Sequence, residues 1–76
     1  MQYFVWYDDS PKKPVAEKIQ EAIAAYVTRF AIQPSLLLVN VVDHMEWGNL
    51  LVRVERTVQP NSFWLGYEQI AEAPTA

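Results

Sequence analysis

The 76-residue chain has no cysteine, only two glycines and a single histidine. Without cysteine, neither a disulfide nor a thiolate zinc site can staple the fold, so cohesion must come from apolar burial or from a partner subunit. Two glycines cannot build a G-x-G-x-x-G or Walker loop, and Ser10, Ser35 and Ser62 lack a nucleophile motif such as G-x-S-x-G. As the only histidine, His44 would be the natural general acid or base. These gaps weigh against an enzyme, and nothing in the chain implies a cofactor.

Long apolar runs are missing too: none approaches the roughly 18 residues that span a bilayer, and the opening MQYFVWYDDS has no basic n-region. The expectation is a soluble, cytoplasmic chain with no membrane partner. Positive charge is scarce, with six Lys and Arg against nine acids and a net charge of -3, which opposes non-specific attraction to phosphate.

What remains is apolar. Hydrophobic residues make up 51% and charged residues 20%, too apolar for intrinsic disorder, and the length allows one core. Residues 2–7 (QYFVWY) are strand formers with Tyr3, Val5 and Tyr7 on one face and Phe4 and Trp6 on the other. DDSPKKP breaks that strand and starts a helix, at Pro11 or at Pro14. Val15, Ile19, Ala22, Ile23, Tyr26, Val27 and Phe30 then recur at helical spacing, with Lys18 assigned to the polar face. SLLLVNVV reads as a strand covered on both faces, DHMEWGN as a loop with a Gly48-Asn49 turn, LLVRVERTV as an alternating strand and SFWLGYE as a fourth strand.

The order β-α-β-β-β predicts an α+β two-layer fold, a four-stranded mixed sheet with one helix on one face. A parallel crossover joins the first two strands in this reading, and the next two connections are hairpin-like. The domain runs over 1–70, with a flexible tail over 71–76.

One helix covers one face, while several strands carry apolar residues on both, so a face holding some of Phe4, Trp6, Leu37, Val39 and Trp64 is expected to need cover. Homodimerisation, through that face or through an unguarded edge of the first strand, is the leading expectation. Phe4, Trp6, Met45, Trp47 and Trp64 are the candidate interaction residues; for Met45 and Trp47 the simpler reading is a cap on the end of the core. The chain is therefore expected to be a non-enzymatic, self-associating interaction module, with an unknown protein partner also compatible. A first alternative is a single-stranded nucleic-acid platform, with aromatics stacking on bases and Lys12, Lys13, Arg53 and Arg56 meeting phosphates. A second is a small enzyme or metal site where the Asp8/Asp9 loop meets the Asp43/His44/Glu46 loop, both following carboxyl ends of strands. Each loop is also simply a solvated polar turn, as P-K-K-P is a charged one.

YFVWYDDSPKKPVAEKI and RTVQPNSFWLGYE together resemble short uncharacterised bacterial proteins with a W-[YF]-D-D-x-P-K-[KR]-P opening and a P-N-x-F-W-[LV]-G ending. The resemblance implies a stand-alone bacterial domain and assigns no functional residue.

Overall fold

The computed structural model describes residues 3–67. The tail assigned to 71–76, and the domain boundary at 70, lie outside the described residues. Within them the order is β1 (Phe4–Tyr7), α1 (Val15–Phe30), β2 (Leu36–Val39), a single 3₁₀ turn (Val41–Asp43), β3 (Leu51–Val54) and β4 (Ser62–Gly66). The four strands form one mixed sheet in the order β1-β4-β2-β3, so the α+β class with one helix on a four-stranded sheet holds.

The connections differ from the sequence reading. β3 lies beside β2 in parallel register, Leu37 opposite Val52 and Val39 opposite Val54, whereas a hairpin would have made them antiparallel. A parallel neighbour requires the chain to return to the start of the sheet, and residues 40–50 are long enough to do so. The Gly48-Asn49 signal serves a smaller purpose: it closes a turn in which the Leu50 N–H donates to the Trp47 carbonyl. β4 then passes β2 and enters the middle of the sheet, antiparallel to both β1 and β2.

Helix α1 starts after Pro14, whose extended backbone and missing N–H suit a helix boundary. Glu17 in the first turn and Arg29 in the last oppose the helix dipole with favourable charge. Ala31 ends the helix in the left-handed region (φ 61°), with its N–H donating to the Val27 carbonyl, the work usually given to glycine. The stripe foreseen for the helix packs on the sheet: Ile19, Ala22 and Tyr26 are buried with Leu37, Val39, Phe63 and Leu65, and Val15 and Ile23 flank them. Phe4 meets the rings of both Tyr26 and Phe30 edge-on at 5.9 Å, so an aromatic cluster ties β1 to the end of the helix.

All four residues of β2 are buried, as its unbroken apolar run requires. Cover on the face away from the helix comes in part from the connection between β3 and β4. Val58, fully buried, packs with Leu36 and Leu38, and Tyr3 and Trp64 lie against them. The second face is thus a smaller cluster beneath a loop, and the exposed apolar surface is shifted outward to Val5 and Tyr7 on β1 and to Leu51 on β3.

Candidate functional site

Register separates the aromatics that the sequence grouped. Phe4 lies opposite Leu65 and Trp6 opposite Phe63, so both face the helix; Trp64 lies opposite Val5 and Leu38 on the other side of the sheet. Phe4 and Trp6 are partly buried against the main core and stack at 6.3 Å, which leaves Tyr3 and Trp64, with ring centroids 5.7 Å apart, as the aromatic pair on the helix-free face. Among the described residues, the buried Trp6 indole N–H has no hydrogen-bond acceptor. Met45 and Trp47 pack against the main core from the 40–50 connection. Trp47 also forms one wall of a groove of about 320 Å³ shared with His44, Glu46, Leu50 and Val52.

At the carboxyl ends of β1 and β2 the two acidic loops do approach each other, through a residue that the sequence reading passed over. Asn61 adopts a left-handed backbone (φ 69°), a conformation asparagine tolerates better than most residues. Its carbonyl accepts from the Asp8 N–H at 3.0 Å, its N–H donates to Asp43 Oδ2 at 2.7 Å, and its side-chain oxygen accepts from Lys18 Nζ at 3.1 Å. Lys18 and Asp43 are each only 5% exposed. Lys18 thus departs from the polar face assigned to it. Its aliphatic stem runs along the core edge and its ammonium reaches the amide, a division that long cationic side chains permit. The available signal was spacing: Lys18 stands three residues after Val15 and four before Ala22, on the margin of the stripe.

The loop residues divide by direction. Asp43 turns inward while His44 and Glu46 are exposed, so D-H-x-E does not converge on one point. Among the described residues, no group of three or more His, Cys, Asp or Glu is placed to hold a metal ion. Asp8 is committed elsewhere: its carboxylate accepts from the Ser10 N–H at 3.0 Å and pairs with Lys13 at 3.1 Å, and Lys13 also reaches Glu21 at 2.8 Å. Those contacts, Ser10 first and Lys13 after it, lower the Asp8 pKa to about 2. A carboxylate whose folded pKa lies below its unfolded value stabilises the fold above the unfolded pKa, and that contribution fades as pH falls through the folded one. Accordingly, Asp8→Asn is expected to flatten the loss of thermal stability between pH 4 and pH 2. An unchanged pH profile would remove Asp8 from the acid response.

Strand edges complete the inventory. In an antiparallel ladder the residues that exchange hydrogen bonds alternate. The Asp8 N–H donates to Asn61, so Trp6 and Phe4 direct their backbone to β4, while Val5 and Tyr7 direct theirs to the outside. Val5 and Tyr7 also carry exposed side chains, and Asp9 lies near enough to the Tyr7 hydroxyl for its charge to raise that pKa. On the opposite side of the sheet, Leu51 and Glu55 donate to the Ser35 and Val39 carbonyls of the β2 segment. The alternation leaves the backbone groups of Val52 and Val54 facing outward.

No helix among the described residues is long and apolar enough to cross a membrane. No family model matches the chain, and neither the curated proteins nor the solved structures contain a match to it.

Proposed function

We propose that this chain is a non-enzymatic interaction module that self-associates through the outer edge of β1. The observation that carries the reading is that β1 lies at a sheet edge, with the backbone groups of Val5 and Tyr7 directed outward. Residues 3–7 contain no charge and no proline to discourage another strand.

The segment is also self-complementary. A two-fold antiparallel pairing centred on Val5 sets Val5 against its own copy, Tyr3 against Tyr7 and Phe4 against Trp6. Every apposed pair is then apolar, and cross-strand aromatic pairs of this kind each contribute roughly 0.2–1 kcal/mol. The two sheets become one continuous sheet of eight strands, with the exposed Val5 and Tyr7 side chains shared between copies. Such a joint is isologous, as the common two-fold oligomers are.

The test is the solution mass by light scattering of the wild type and of Val5→Lys. Val5 is 54% exposed and its N–H does not serve β4, so lysine there leaves the protomer folded. The wild type is expected at twice the chain mass and Val5→Lys at the single mass, with circular dichroism unchanged. A monomeric wild type at millimolar concentration, or a variant that remains dimeric, overturns the proposal. Trp6→Glu is a poor probe of the same idea, since Trp6 packs under the helix and a charge there opposes folding itself.

A further inference from the structure

The other edge of the sheet has a different character. We infer that the outer edge of β3 accepts an extended peptide by strand addition, with an acidic residue of the peptide opposite Arg53. Val52 and Val54 present outward N–H and C=O groups, which is the template that such recognition requires. The same edge is marked by the bridge between Trp47 and Leu50, because Leu50 shares the outward set with Val52 and Val54. Next to that bridge lies the groove of about 320 Å³, lined by His44 and Glu46 from the segment before the turn and by Val52 from the segment after it. An added strand continues the ladder while setting one side chain in the groove beside Trp47.

Charge selects the occupant. An antiparallel pairing of β3 with a second β3 that used all four outward groups would have to centre on Arg53. That places two guanidinium groups directly opposite one another, an arrangement that destabilises a strand pair. A second copy is therefore disfavoured at β3, in contrast to β1. A heterologous strand with glutamate or aspartate at that position meets Arg53 with the opposite sign. Arg53 is exposed and lies on the helix-free face, the opposite face from Val52, so the acidic residue and the groove-filling residue are neighbours in an alternating sequence.

The probe is a capped heptapeptide of alternating valine and threonine around one central glutamate, titrated into the isotopically labelled protein. Saturable shifts of the Val52 and Val54 amide resonances and of the Trp47 indole resonance are expected. Exchanging the central glutamate for lysine should weaken binding at least tenfold, and Arg53→Glu should reverse that preference without changing the fold. The inference fails if the Val52 and Val54 amides do not respond at millimolar peptide, if the shifts fall on Val5 and Tyr7, or if Arg53→Glu leaves the preference unaltered. It fails equally if Val52 and Val54 respond to protein concentration alone, since the occupant is then a second copy.

Discussion

Phe63→Ala is expected to remove about 3–5 kcal/mol of stability, the range measured for truncating a buried large aromatic. A chain of this length has on the order of 4–11 kcal/mol in total. The substitution therefore removes a large share of the total, and at the low end of that range the protein is largely unfolded at room temperature. Phe63 is fully buried, pairs across the sheet with Trp6 on one side and Val39 on the other, and faces the helix within the main core. Its removal opens a cavity between the sheet and the helix, in the cluster that Ile19, Ala22 and Tyr26 share with Leu37, Val39 and Leu65. Urea denaturation followed by tryptophan fluorescence gives the measurement. A midpoint lowered by less than a quarter would show that the centre of the core lies elsewhere.

The second large effect is predicted for Asp43. Asp43→Ala should cost about 2–3 kcal/mol, because it strands a partly buried backbone donor and takes a carboxylate from the surroundings of a buried lysine. The donor is the Asn61 N–H, fixed in a left-handed corner where the backbone cannot readily turn to water. The lysine is Lys18, held on the Asn61 side chain. Asp43→Asn keeps an acceptor oxygen and should lose about half as much, since hydrogen bonds to charged groups are about twice as strong as neutral ones. Combining Asp43→Ala with Lys18→Met should recover part of the loss. Strict additivity in that double-mutant cycle would mean that the two residues do not act through Asn61.

Local pattern made much of the fold legible. The stripe from Val15 to Phe30 locates the helix and its end, while the start stayed open between Pro11 and Pro14, and the unbroken run at Leu36–Val39 marks a strand buried on both faces. Strand order was not legible, because QYFVWY and SFWLGYE are apolar on both faces and alternation then carries no sign of which face meets the helix. The parallel placement of β3 depends on the course of residues 40–50, whose only local signal, Gly48-Asn49, belongs to a turn inside that connection. Grouping Trp64 with Phe4 and Trp6 failed for the same reason.

The candidate sites follow this division. Sequence alone indicated that the first strand was unguarded, but its position at an edge is a property of the whole sheet. Lys18 and Asn61 are 43 positions apart, and no periodicity links them. Asn61 carried one usable hint, an asparagine after Pro60, the composition of a corner able to adopt positive φ.

The place of β4 between β1 and β2 has a consequence for how the protein comes into being. Among the described residues before Ser62 there are three strands besides the helix, and β1 pairs with neither of the others, because β4 lies between β1 and β2. During synthesis, β1 and its aromatics must wait for some 55 further residues, at roughly 5–20 residues per second, before the strand that receives them leaves the ribosome. The unguarded edge proposed to join two finished copies is therefore doubled in the nascent chain, where both sides of β1 lack a partner. A fragment ending before Ser62 should aggregate instead of folding in part.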